Sequence, residues 1–287
     1  MVAGAVSAAR RAAKASPTVD LYAEDCVAGM ARRLAAGSVD VVGTSPPYNV
    51  GIAYGTYDDR RAADEYLDWI ERFGREVHRA LAPEGSFFLN VGGTPQNPWI
   101  PADVANRLRS VFVLQNQIVW VKSLATGDED DPTGRRPGLS LGHYKPVNSR
   151  RYLHSGHEFV FHFTKTGRVP LDRLAIGVPY RDKSNIARWG RSADRRCRGN
   201  VWFVPYRTIQ SRKGDRPHPA TFPVELPVLC LKLHGLERVR TVLDPFLGLG
   251  STGRAARSLG LNFVGFDIDA TYVAEARRAL TKAGANA

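Results

Sequence analysis

Apolar residues in this chain follow two periods. Val41–Gly43, "GSFFLNVGG" (85–93), "VFVLQNQIVWVK" (111–122), "HEFVFHFTKTG" (157–167), Val242–Leu243 and "NFVGFDID" (262–269) are short runs rich in branched and aromatic residues. Their length and content predict buried strands. Between them, Tyr66, Trp69, Ile70, Phe73, Val77 and Leu81 recur every three or four positions, and "APEG" (82–85) stops the run. That spacing predicts an amphipathic helix. "STGRAARSLG" (251–260) predicts a second helix, with Gly260 as its stop. Strands alternating with helices imply an α/β fold: a doubly wound, mainly parallel, Rossmann-like sheet.

Two regions break the alternation. "SLATGDEDDPTGRRPGLSLGHYKPVNSRR" (123–151) has no helical or strand period and predicts a long surface loop. Residues 166–216 are irregular as well. The resulting division is a flexible basic tail over 1–19, a first half over 20–165, an inserted small irregular region over 166–216, and a last half over 217–287.

Charge gives the insertion a meaning. The formal net charge is +12. Eleven Lys or Arg against three Asp lie between Arg181 and Arg216, a balance of +8 in one eighth of the chain. Trp189, Trp202, Phe203 and Tyr206 are interleaved with them. Cations for phosphates beside rings for bases suit a nucleic-acid surface. A solvated insertion with a small aromatic core of its own is the alternative. The cationic candidates are Arg181, Lys183, Arg188, Arg191, Arg195, Arg196, Arg198, Arg212 and Lys213. Cys26, Cys197 and Cys230 form no CxxC pair, so neither a zinc site nor a disulfide framework is expected. His143, His154, His157 and His162 are scattered and read as solvated or packed, not as metal ligands. With no apolar run long enough for a membrane span, a cytoplasmic protein is expected.

Candidate chemistry gathers in two places. In "RTVLDPFLGLGSTGRAARSLGLNFVGFDID" (240–269), a strand leads into the turn Gly248-x-Gly250-x-x-Gly253, then a helix, then a strand ending at Asp267, 19 residues beyond Gly248. A βαβ unit so arranged binds a nucleoside whose ribose hydroxyls face the acid. A dinucleotide such as NAD is the first reading. However, Asp244 stands just before the glycines and would repel a pyrophosphate, while suiting a cofactor with an ammonium group. The second place is "DVVGTSPPYNVG" (40–51), where Pro46 and Pro47 stiffen the backbone between a serine and a tyrosine.

Here the chain resembles a known family. "DPFLGLGST" is similar to the cofactor motif of the DNA amino-methyltransferases, "TSPPYN" to their catalytic motif, and "HPATFP" (218–223) to the motif preceding their cofactor strand. The catalytic motif comes first, the basic region next and the cofactor motif last, the permuted order of the beta class, whose target-recognition region lies between the halves. The resemblance covers roughly residues 20–165 and 200–280. It implies S-adenosylmethionine as cofactor and double-stranded DNA as substrate. It also implies a bacterial or archaeal, nucleoid-associated setting, a restriction endonuclease as possible functional counterpart, and either a monomer or a homodimer.

By that resemblance, Ser45 Oγ and the Pro46 carbonyl accept the two N–H bonds of an exocyclic amino group, turning its lone pair toward the methyl donor. Pro46 and Pro47 hold that geometry before substrate arrives, and Tyr48 offers a face on which the flipped base stacks. Asp267 takes the ribose hydroxyls and Asp244 faces the ammonium. Phe246, Gly248, Gly250 and Ser251 form the floor. His218, Ala220 and Phe222 close the pocket. Asp25 reaches the adenine edge or is simply a turn aspartate. No metal is required. None of the cysteines follows a proline, as the thiolate of a 5-methylcytosine enzyme would. Cytosine-N4 and adenine-N6 therefore remain, and serine at position 45 favours cytosine. An NAD-dependent enzyme, a non-catalytic DNA-binding module, and RNA or protein amide methylation are the competing readings.

Overall fold

A computed structural model describes residues 16–52, 56–127, 138–142, 148–188, 193–205 and 221–282. Its centre is an eight-stranded sheet built from β1 (Val19–Ala23), β2 (Val39–Thr44), β3 (Leu81–Val91), β4 (Val113–Val121), β7 (His157–Thr164), β8 (Val201–Phe203), β9 (Thr241–Asp244) and β10 (Asn262–Asp267). The strand order is β1-β10-β9-β2-β3-β7-β4-β8. β7 runs antiparallel to both its neighbours and every other pairing is parallel, so the sheet is mainly parallel, as the alternation predicts. A separate two-stranded ribbon pairs β5 (Leu124–Thr126) with β6 (Leu139–Leu141). That ribbon lies in the stretch whose sequence predicts only a loop. Three-residue strands are too short to show a period of two.

Successive strand residues face opposite sides of the sheet and feed two cores. Val42, Phe87 and Leu89 bury against α1 (Cys26–Arg33), α2 (Ala63–Ala80) and α3 (Ile100–Leu108), through Met30, Trp69, Ile70, Phe73, Val77, Val104 and Leu108. Val41, Phe88, Val242 and Phe263 bury against α5 (Glu225–His234), α6 (Ser251–Ser258) and α7 (Ala270–Lys282), through Leu231, Ala255, Ala256, Val273 and Leu280. Close approach needs glycine at two points. A Cβ on Gly74 would come within 2.3 Å of Leu108, and one on Gly253 within 2.6 Å of Phe263. The third glycine of the GxGxxG turn therefore serves helix-on-strand packing. Leu81, placed by its spacing on the helix face, is instead the first residue of β3, because α2 ends at Ala80 and the backbone turns extended there.

Among its described residues the insertion is mostly irregular, with a short α4 (Ser184–Arg188). Those residues do not form a separate core. β8 extends the main sheet beside β4, and Trp202 is buried in the core shared with Trp120 and Ile176. Trp202 is thus packing rather than a ring offered to bases. Among the described residues no helix is long and apolar enough to cross a membrane.

Candidate active site

Strands β9 and β2 are neighbours, yet the chain proceeds from β9 outward to β10 and from β2 outward to β3. Such a reversal opens a crevice at the carboxyl ends of the strands. The cleft found there brings together Ser45, Pro46, Pro47 and Tyr48 after β2, Asp244 at the end of β9 with Phe246 and Gly248 after it, Ser251 at the start of α6, Asp267 at the end of β10, and Asp25 and Phe222. The two motifs, far apart in sequence, thus meet in one cavity.

On the β9–β10 side the carboxylates are held largely by backbone. Gly248 and Gly250 take left-handed backbone (φ 48° and 78°), which turns the chain from β9 into α6. The Gly248 N–H donates to Asp267 Oδ2 at 2.8 Å and the Asp269 N–H to Oδ1 at 2.9 Å. Each oxygen keeps a lone pair for a ligand. Burial raises the Asp267 carboxyl above its ordinary range. Asp244 is fully enclosed. It accepts the Thr44 hydroxyl at 2.5 Å and the Phe246 N–H at 3.1 Å. Burial pushes its carboxyl up to about 7, against the pull of those hydrogen bonds. An acid balanced near neutrality beside an apolar floor fits a cationic ligand, and the Asp267 acceptors fit a diol. Asp25 is exposed and caps α1 by accepting the Ala28 N–H at 2.9 Å, while also bordering the cleft. Asp25 is thus a turn residue at the start of α1 that also stands at the edge of the cleft.

On the β2 side, hydroxyls are held by side chains. Ser45 Oγ lies 2.8 Å from Tyr48 Oη, which donates to Glu158 Oε2 at 3.0 Å. Asn90 Nδ2 donates to Tyr48 Oη and to Glu158 Oε2, both at 2.7 Å. The Lys122 ammonium pairs with Glu158 Oε1 at 2.8 Å. Asn90 sits on β3, Lys122 just beyond β4 and Glu158 on β7, so residues on or next to three further strands support the turn after β2. The Pro47 carbonyl accepts the Tyr66 hydroxyl at 2.9 Å. Downstream, Asp59 is buried and collects the N–H groups of Asn49, Val50 and Ile52 at 2.7, 3.1 and 3.0 Å. Asn49, at φ 58°, clamps Arg61 by a reciprocal backbone pair. Reading the sequence alone identifies none of Asn90, Lys122, Glu158 or Asp59. Asn90 and Glu158 are polar interruptions of apolar strands, a signal present but unspecific.

The described basic candidates are not among the residues lining the cleft. Arg181, Lys183, Arg188, Arg195 and Arg196 are exposed. Lys183 is paired with Asp194, and Arg198, half-buried, donates to the Ile176 carbonyl at 3.0 Å. Trp189, Arg191, Tyr206, Arg212, Lys213, His218 and Ala220 fall outside the described residues, as do His143 and tail residues 1–15. His162 is packed: its ring bonds Asn116 and Ser86, and Ser86 in turn bonds His234.

Comparison with known proteins identifies the family. Residues 39–278 match the N6/N4 DNA methylase family. The type II methyltransferase M.BglII of Bacillus subtilis is 30% identical over 251 residues, covering 82% of this chain and 62% of that protein. The chain therefore spans less than two thirds of that relative's length. The DNA adenine methyltransferase YhdJ of Escherichia coli (strain K12) is 26% identical, over 84% of this chain and 76% of its own. Among solved structures, the PvuII DNA methyltransferase (cytosine-N4-specific) superposes with a TM-score of 0.64 at 20% identity, covering 93% of this chain and 92% of that one. The chain belongs to the N6/N4 DNA methylase family.

Proposed function

We propose that the protein transfers a methyl group from S-adenosylmethionine to the N4 amino group of a cytosine flipped out of double-stranded DNA. Adenine-N6 is the alternative target. One observation carries the reading: Ser45 lines the same cleft as Asp244 and Asp267. S-adenosylmethionine supplies an electrophilic methyl group when bound. The protein's residues do the rest by position. Asp267 accepts from the ribose hydroxyls. Asp244, ionised in the presence of a cation, balances the ammonium end. The glycine turn lets the backbone approach. Ser45 Oγ and the Pro46 carbonyl accept the amino N–H groups and turn the nitrogen lone pair inward, the Pro47 carbonyl being already taken by Tyr66. The rigid turn removes an ordering cost at the moment of reaction. Flipping costs a few kcal/mol, and stacking on Tyr48 returns about 1–3 kcal/mol. Exposed Arg181, Arg188, Arg195 and Arg196 serve the phosphate backbone.

The preference for cytosine rests on Ser45, a neutral acceptor. Mass spectrometry of nucleosides from DNA of diverse sequence, incubated with protein and S-adenosylmethionine, tests the reading. N4-methylcytosine is expected. N6-methyladenine would keep the mechanism and overturn the base assignment. Neither product would overturn the function.

A further inference from the structure

Which partners a hydroxyl group serves depends on where its own proton points. Ser45 can accept an amino N–H only if its O–H is directed elsewhere. The side chains around it decide that direction, and the decision traces back to one carboxylate.

Glu158 is ion-paired with Lys122 through Oε1 at 2.8 Å. As a carboxylate it only accepts hydrogen bonds. The Tyr48 hydroxyl, 3.0 Å from Oε2, must therefore give its single proton to Glu158. Asn90 is oriented by the same charge. Its amide nitrogen faces Oε2 at 2.7 Å, since the flipped amide would set two oxygens against each other. The same nitrogen also reaches Tyr48 Oη at 2.7 Å. With its proton spent on Glu158, Tyr48 Oη can meet Ser45 Oγ at 2.8 Å only as an acceptor, so Ser45 must be the donor. The Ser45 proton is thereby turned toward Tyr48, and its oxygen becomes an acceptor: Asn90 Nδ2 approaches it at 3.4 Å, a long contact because both amide hydrogens are directed at Tyr48 and Glu158, so a substrate N–H can take that place.

We infer that Glu158 is a positioning residue for methyl transfer, setting through Tyr48 the hydrogen-bond direction that makes Ser45 an acceptor. The inference rests on the proposed function of the cleft. It also gives Tyr48 a second role besides its ring face, one that depends on the hydroxyl.

Glu158→Gln is the isosteric test. Lys122 holds the amide oxygen of the new side chain, so its NH2 group faces Tyr48. Tyr48 then accepts from position 158, Asn90 turns its amide oxygen toward the new NH2 group and Tyr48, and Ser45 is no longer the obligate donor. Tyr48→Phe keeps the ring and removes the link. Each substitution is expected to lower kcat about tenfold, the effect of one misdirected hydrogen bond. KM for DNA and Kd for S-adenosylmethionine should stay within about twofold, which also shows that the variants fold. Because both act through one chain, the double variant should lose no more than the worse single variant. Wild-type kcat in Glu158→Gln, or losses that multiply in the double variant, would overturn the inference while leaving the function intact. No methylated base from the wild-type protein would sink the functional reading and this inference with it.

Discussion

The two sides of the cleft solve the same problem with different materials. On the β9–β10 side, carboxylates are fixed largely by main-chain N–H groups: Gly248 and Asp269 on Asp267, and Phe246 on Asp244, which also accepts the Thr44 hydroxyl. On the β2 side, hydroxyls are fixed by side chains from β3, the end of β4 and β7: Asn90, Lys122 just past β4, and Glu158 around Tyr48 and Ser45. A backbone-held group depends on local turn geometry, so its residues cluster in sequence. A side-chain relay depends on tertiary placement, so its members scatter. The first arrangement suits a ligand whose shape is constant. The second suits a group whose hydrogen-bond polarity must be set.

The largest test of this contrast is Ser45→Ala. Removing the acceptor should cut the single-turnover rate by about 10²-fold, in line with removal of one preorganised polar group at a reacting centre, while the Kd for S-adenosylmethionine holds. Asp267→Asn should do the reverse. Charged hydrogen bonds are worth about 1.5–3 kcal/mol, so cofactor Kd should rise roughly 10- to 100-fold by calorimetry with the saturated rate little changed. Equal movement of both parameters in either variant would erase the division between the two sides.

Protonation sharpens the comparison further. Asp244 has its carboxyl pushed up to about 7 by burial. A cationic ligand selects its ionised form, so cofactor binding should release protons near neutral pH. It should weaken by up to about tenfold per pH unit below 7, and the dependence should vanish in Asp244→Asn. For stability the sign is opposite to that of the buried histidines. Asp244 is raised above its unfolded value, so acidification from pH 7 toward 4 protonates the folded state and stabilises it. His162 is pushed down to about 3 by burial and His234 to about 4, so acidification from about 6.5 protonates only the unfolded chain and destabilises. Two histidines against one aspartate leave a net loss of about 1.4 kcal/mol per pH unit between about 6 and 5. Asp244→Asn should steepen it, as read by the midpoint of chemical denaturation.

The smallest expected effect lies in the insertion. Removing one cation that neutralises a phosphate should lower the slope of log K against log salt by about 0.9. Arg196→Ala should show that change. Arg198→Ala should show less, because its guanidinium is engaged with the Ile176 carbonyl.

How much of this was legible in the sequence follows the same division. The GxGxxG turn, Asp267 and the SPPY stretch are local, and the sequence places them correctly in one fold. The alternation of periods likewise gives the mainly parallel sheet. Glu158 and Asn90 sit inside apolar strands, where a single polar residue reads as noise until β3 and β7 are paired, with Asn90 opposite Val160. The antiparallel sense of β7 has no local signature either. Trp202 misleads for a related reason. Its basic neighbours suggest a surface, and only the pairing of β8 with β4 reveals that it is core.

A structure of the protein with a non-transferring amine analogue of S-adenosylmethionine and a duplex it methylates would test the division of the cleft most directly. The account predicts the ribose hydroxyls on Asp267 and a flipped cytosine with its N4 group within hydrogen-bond distance of Ser45 Oγ, whose proton partner remains Tyr48. A flipped base held elsewhere, or the cofactor ribose away from Asp267, would contradict it.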